Sequence, residues 1–99
     1  MSQLTGAQRK FLRGMANRLE ALIIVGKQGA SDSLIRATDV ELTAHELIKV
    51  RFNGFKDEKG ALSDKIAEAT QAEVVGRVGH VVMLYRQHPE PEKRAIKLP

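Results

Sequence analysis

Four consecutive residues, Gly26, Lys27, Gln28 and Gly29, form a Gly-x-x-Gly turn that could hold a phosphate group. Glycine has no Cβ and reaches positive φ at little cost, so such a turn lets a sugar-phosphate chain approach the backbone closely. The N–H groups at the start of a following helix favour a phosphate, and Lys27 adds a positive charge there. The alternative is a plain strand-to-helix turn, which Asp32 favours because it already supplies negative charge to the helix start.

The net positive charge of the chain is concentrated beside this turn. The 99 residues carry 16 Lys+Arg against 12 Asp+Glu, a formal net charge of +4. Residues 1–30 contain five bases and one acid, whereas residues 31–99 contain eleven of each. Because a clustered positive charge attracts a polyanion, this distribution predicts a small RNA-binding domain.

Three bases of a predicted first helix, Arg9, Lys10 and Arg13, are further candidates for RNA contacts. They lie off the apolar stripe of that helix, and no acidic residue occurs before position 20 to neutralise them. We expect a solvent-facing basic cluster continuous with Lys27. The alternative is an ordinary solvated helix face, which is what most charge clusters are.

Lys49 and Arg51 are candidates on the polar face of a predicted strand. Glu46 and Glu73 could lie close and offset their charge, so a structural role is equally compatible with the pattern.

Two aromatic side chains could stack on bases. Phe11 also fits a helix core, whereas Phe55 lies in a polar loop. With 4% aromatic residues, the chain cannot build an extensive stacking platform.

Enzymatic and metal-binding classes find no support in the residues. Cysteine is absent, and His45, His80 and His88 do not have metal-ligand spacing. No Gly-x-Ser-x-Gly or Walker A motif occurs, because Lys27 is followed by Gln28. We therefore expect a non-enzymatic protein that uses no cofactor, metal ion or small-molecule substrate.

Hydrophobic periodicity predicts alternating helices and strands. The first helix should bury Leu12, Met15 and Leu19, and the first strand should be buried on both faces. Ser31 should cap the second helix, Leu62, Ile66 and Ala69 should mark the third, and Gly79-His80 should form a type II′ hairpin turn. The predicted helices span residues 5–19, 31–44 and about 61–71, and the strands span 21–25, 47–52, 73–78 and 81–86.

The order α-β-α-β-α-β-β predicts an α/β fold with a mixed four-stranded sheet packed by helices. Ninety-nine residues are enough for one domain over residues 1–99, with residues 87–99 as a surface tail. The longest apolar runs are five residues, too short to span a bilayer. No signal-peptide pattern occurs at the N-terminus. We expect a cytoplasmic monomer with no membrane association.

Several segments resemble the YhbY family, the stand-alone bacterial form of the CRM (chloroplast RNA splicing and ribosome maturation) domain. They are residues 4–14, the segment from Ile24 to Gly29, His45-Glu46-Leu47-Ile48-Lys49-Val50, Gly79 through Val82 to Arg86, and Ile96-Lys97-Leu98-Pro99. The resemblance covers essentially the whole chain and implies a fold similar to the C-terminal domain of translation initiation factor 3. It also implies an RNA-binding protein associated with precursors of the large ribosomal subunit. The family's loop maps onto Gly26, Lys27, Gln28 and Gly29, and its basic surface onto the first helix.

The sequence thus predicts a protein that binds rRNA in large-subunit precursors and assists ribosome assembly. The alternative is a ribosome-associated adaptor whose main contacts are to protein, with secondary affinity for RNA.

Overall fold

The helices and strands follow one another in the predicted order. A computed structural model describes residues 4–55 and 57–99. The elements are α1 (Gly6–Ala16), β1 (Ala21–Val25), α2 (Asp32–His45), β2 (Leu47–Phe52), α3 (Lys59–Thr70), β3 (Glu73–Val78), β4 (Val81–Tyr85) and a 3₁₀ turn (Pro91–Lys93). The predicted α/β fold with a mixed four-stranded sheet is confirmed.

The strand order is β1-β2-β4-β3. β1 and β2 are parallel, whereas β4 is antiparallel to both β2 and β3. The β3–β4 hairpin closes at Gly79, whose φ of +57° fits the first central position of the predicted type II′ turn. β1 and β3 are therefore the edge strands, and the end of β1 leads directly into the Gly26–Gly29 loop.

Alternating side chains divide the sheet into two apolar faces. On one face α2 and α3 pack against a core that includes Val25, Ile48, Val50 and Leu84. On the other face α1 packs against Leu47, Val75, Met83 and Tyr85, together with Ile96 from the C-terminal segment. We call this second face the α1 face.

Helices α1 and α2 each begin with a side-chain N-cap. The hydroxyl of Thr5 accepts from the N–H of Gln8, whose side chain accepts from the N–H of Thr5. The Oγ of Ser31 accepts from the N–H of Leu34, which confirms the predicted cap of α2.

The predicted C-terminal part of the first helix is wrong. α1 ends at Ala16, and the N–H groups of Arg18 and Leu19 bond three residues back in a tight turn. Leu12 and Ala16 face the sheet, whereas Met15 and Leu19 are exposed. Met15 lies on the flank of the short helix, and Leu19 lies beyond its end.

One further burial prediction, for β1, is wrong. β1 is buried on one face only, because it is an edge strand and α1 leaves its other face uncovered; Ile24 is 51% exposed and Leu22 is also exposed. In α3 the inner face is completed by Ala67 and Thr70, and Ala69 is exposed.

A buried carboxylate anchors the C-terminal segment of residues 87–99. Glu46, at the end of α2, is 2% exposed and has a φ of +66°. Its carboxylate accepts from the N–H groups of His88 (2.7 Å), Ala95 (2.8 Å) and Ile96 (3.1 Å). Most of the segment lies on the surface, but it is tied down where His88 and Ile96 are buried.

Candidate RNA-binding surface

The Gly26–Gly29 loop is a tight turn between β1 and α2. The N–H of Gly29 donates to the carbonyl of Gly26 at 3.0 Å, and Gly29 has a φ of +61°. The φ of Gly26 is not positive, and no atom lies within 4 Å of the position a Cβ would take there. Lys27 and Gln28 are exposed at the tip. The loop therefore presents a cation and the exposed backbone of residues 26–28 at the end of the sheet, whereas Gly29 is buried against Phe55 and Leu62.

The half-buried side chain of Phe55 packs beneath this loop. Its ring lies 3.7 Å from the position that a Cβ on Gly29 would take, and the ring packs against the core beneath α2 and α3. The N–H of Asn53 donates to the carbonyl of Val25 at 2.9 Å, which fixes the neighbouring loop beside the end of β1. Phe55 thus has a packing role that its polar sequence context did not predict, whereas Phe11 is exposed on α1.

Lys49 and Arg51 both project from the α1 face of β2. They alternate with the buried Ile48, Val50 and Phe52 of the opposite face. In the register of the sheet, Arg51 lies opposite Ile24 of β1, two residues before Gly26. This places the guanidinium at the loop end of the sheet.

The acids expected near these two bases are engaged elsewhere. Glu46 holds the C-terminal segment, and Glu73 pairs with Arg9. Across residues 4–55 and 57–99 the structure gives no ion pair to Lys27, Lys49 or Arg51. Their charges are available to a polyanion.

The bases of α1 do not form one free cluster, contrary to the prediction. Arg9 pairs with Glu73 at 2.8 Å and donates to the carbonyl of Val74. Glu73 lies opposite Tyr85, and Tyr85 opposite Leu47, so Arg9 lies at the end of the sheet remote from the loop. The prediction failed because the acid that neutralises Arg9 is 64 residues away in the sequence.

Arg13 lies along β3, nearer the loop. Its Nη1 donates to the carbonyl of Val75 at 3.1 Å, and its stem crosses Gly76 so closely that a Cβ there would lie 2.8 Å from Cδ. A guanidinium has five N–H donors, so Arg13 retains donors for a phosphate. Lys10 is exposed and has no acidic partner within the described parts of the chain.

Arg36, which was not among the residues predicted from the sequence, is an exposed base on α2. It lies four residues after Asp32, in the helix that begins just after the loop. The position of Arg36 only seven residues after Gly29 is a signal in the sequence that could have marked it as a candidate for RNA contacts. By contrast, the charges of Arg77 and Arg86 are paired with Asp64 and Asp39.

Other chemistries receive no geometric support in the described residues. They contain no group of three or more His, Asp or Glu side chains placed to hold a metal ion. Within those same ranges no helix has the length and apolar character needed to cross a membrane.

Comparison with known proteins relates this geometry to RNA binding. Residues 4–86 match the family model described as the CRS1 / YhbY (CRM) domain. The chain is 37% identical to "Probable RNA-binding protein MJ0652" of Methanocaldococcus jannaschii, with 98% of this chain and 74% of the relative covered. It is 32% identical to "Probable RNA-binding protein YqeI" of Bacillus subtilis, covering 97% and 99%.

A solved structure is similar over its whole length. The solution structure of SAV1595 from Staphylococcus aureus, described as a candidate RNA-binding protein, aligns with a TM-score of 0.81. The sequences are 35% identical, and the alignment covers 98% of this chain and 100% of that one.

Proposed function

The chain belongs to the CRS1 / YhbY (CRM) domain family, and from this premise we propose that it binds rRNA in precursors of the large ribosomal subunit and assists their assembly in the cytoplasm. The protein acts without catalysis: it holds an RNA segment by contacts to the sugar-phosphate backbone of the RNA. The coarser part of this proposal, RNA binding, is supported by relatives that are named RNA-binding proteins.

The observation that carries the proposal is that Lys27 and Arg51 lie at the same end of the sheet. Lys27 lies at the tip of an open glycine turn, and Arg51 lies on the next strand at the same end of the sheet. The exposed backbone of residues 26–28 would approach the sugar-phosphate chain, and the two cations would each neutralise a phosphate. Lys10, Arg13 and Lys49 extend the basic surface along the α1 face, while Arg9 mainly holds α1 against β3.

Salt dependence of binding tests the role of Lys27. Each phosphate contact contributes about −0.7 to the slope of log K against log[salt] for a single strand. Lys27→Ala should therefore weaken binding to all sequences alike and flatten the slope by roughly 0.7. Lys65→Ala is the matched control, because Lys65 is an exposed lysine on α3, which covers the opposite face of the sheet.

Unchanged affinity and slope in Lys27→Ala would show that the loop is only a turn. Sedimentation of cell extracts then tests the ribosomal part: wild type should migrate with large-subunit precursors, and Gly26→Asp should be released from them. A Cβ at residue 26 would have no atom within 4 Å, and the φ there is not positive, so this substitution should change the charge of the site and preserve the fold.

An exposed apolar groove supports a second candidate function, that of a protein-binding adaptor. Met15, Leu19 and Leu22 are exposed and line one groove together with His45 and Ile96. If Leu22→Ser releases the protein from precursor particles while its affinity for protein-free rRNA is unchanged, the adaptor function gains support over direct RNA binding.

A further inference from the structure

One row of side chains crosses the whole sheet and is left uncovered by α1. In the register of the strands, Ile24 of β1 lies opposite Arg51 of β2, Arg51 opposite Val81 of β4, and Val81 opposite Val78 of β3. We call these four residues the open row. All four project from the α1 face, because Met83 and Tyr85 of β4 do so and side chains alternate along a strand.

The open row is the last on the α1 face before the Gly26–Gly29 loop. The row below it contains Lys49, Met83 and Gly76, and it is there that α1 makes its contact through Arg13. Ile24 is 51% exposed and Val78 is 61% exposed, although both occupy strand positions facing a helix layer. With strands about 4.8 Å apart, four strands give an apolar shelf roughly 14 Å wide.

The charges on this shelf indicate which kind of ligand could bind there. The open row contains one cation, Arg51, and the row below contains Lys49, with no acid in either. The open row is also continuous with Lys27 through the end of β1. An apolar surface with one cation within it and another in the adjacent row fits a ligand with flat apolar faces and a polyanionic backbone, which is the chemistry of an unstacked nucleic acid strand.

We propose that the open row binds the bases of a single-stranded RNA segment whose backbone lies on the Gly26–Gly29 loop, an inference that rests on the proposed RNA-binding function. Ile24, Val78 and Val81 contact base faces, and the planar guanidinium of Arg51 stacks on a base or pairs with the adjoining phosphate. Bases inside a duplex are stacked and cannot reach such a shelf. The site therefore selects single strands over duplexes.

The direct test is a double substitution of the exposed aliphatic residues, Ile24→Ser with Val78→Ser. Affinity for a short single-stranded RNA should fall roughly tenfold, as expected when base contacts are lost. The salt slope should not change, because no phosphate contact is removed. Val40→Ser is the matched control: Val40 is 64% exposed but lies on α2, which packs on the opposite face, and its loss should leave RNA affinity unchanged.

An RNA backbone of the same length without bases separates the base contacts from the phosphate contacts. Wild type should bind this abasic strand roughly tenfold more weakly than the normal strand, and the double variant should bind it as wild type does. Arg51→Lys provides a second variant, which retains the charge but loses the planar guanidinium. It should bind the normal strand more weakly than wild type, and the slope of log K against log[salt] should stay the same.

The outcomes distinguish this inference from the function on which it rests. If wild type binds no RNA, the proposed function fails. Suppose instead that wild type binds RNA and that this binding depends on Lys27. The inference is then overturned if the double variant has the same RNA affinity as wild type, or if wild type binds duplex RNA as tightly as single-stranded RNA. The open row would in that case be a sheet surface without a role in RNA binding. Thermal melting of each variant verifies that it is folded before binding is compared.

Discussion

At Gly29 the backbone conformation, rather than space, restricts the side chain. A Cβ there would lie in ordinary contact with the Phe55 ring at 3.7 Å, but the φ of +61° is one that L side chains rarely adopt. We expect Gly29→Ala to destabilise the fold by about 1–2 kcal/mol. Gly26→Ala, at an ordinary φ with open space, should change stability by less than about 0.5 kcal/mol. Chemical denaturation measures both, and equal effects would contradict the loop geometry.

Tyr85 gives the molecule a pH dependence in alkali. Burial raises the pKa of its phenol and the nearby Glu46 carboxylate raises it further, while Arg94 partly opposes them. Because the unfolded chain ionises near pH 10, the stability that neutral Tyr85 provides is complete below about pH 10 and is lost as the pH rises above it. As the only tyrosine in a chain without tryptophan, Tyr85 alone determines the tyrosinate absorbance.

The substitution Tyr85→Phe should remove this alkaline loss of stability. At neutral pH it should leave stability unchanged or slightly higher, because the buried hydroxyl has no hydrogen-bond partner in the described part of the chain. Urea denaturation at neutral and alkaline pH measures both effects. Destabilisation by more than about 1 kcal/mol at neutral pH would reveal an unseen partner of the hydroxyl.

At the scale of elements, α1 is held to β3 by Arg9 and Arg13, two bases that the sequence pattern had assigned to RNA binding. Arg9→Glu would set a carboxylate against Glu73 and remove the bond to the Val74 carbonyl, so we expect a loss of about 1 kcal/mol. Lys10→Glu changes the same charge on an exposed side chain and should cost less than about 0.5 kcal/mol while weakening RNA binding. Thermal melts and RNA titrations of the two variants distinguish anchoring from recognition; a more damaging Lys10→Glu would reverse the assignment.

The C-terminal segment is an element in its own right because Glu46 holds it. Glu46→Ala would leave three backbone N–H groups without their acceptor, and we expect a loss of roughly 3 kcal/mol. The segment should then be cut quickly by trypsin near Lys93 and Arg94. Glu92→Ala, an exposed residue of the same segment, is the control. If both variants resist trypsin equally, the anchor contributes little to the position of the segment.

At the scale of the whole molecule, the features that sequence predicted are those set by neighbouring residues. The order of the elements, the Ser31 cap and the hairpin at Gly79 each depend on residues within one helical turn or one hairpin. Local periodicity and turn chemistry were sufficient for them. The resemblance to a known family, which covers most of the chain, implied the same class of fold.

The features that sequence could not predict depend on residues far apart in the chain. β1 is an edge strand because β4 pairs with the other side of β2, which a continuous apolar run cannot reveal. Arg9 meets Glu73 across 64 residues, and Glu46 meets Ile96 across 50. The open row likewise exists only after four strands are in register, so neither the pairing of charges nor the exposure of Ile24 was visible beforehand.

The anchoring of the C-terminal segment by Glu46 has a consequence for the time course of synthesis. The amides that satisfy this carboxylate are made 42 to 50 residues after it. At translation rates of 5–20 residues per second, this separation is an interval of roughly 2–10 s. During that interval the carboxylate cannot be buried without a large desolvation cost, so we expect the junction of α2 and β2 to stay hydrated. Ile96, which completes the core of the α1 face, can therefore be added only after the residues up to 96 have been synthesised.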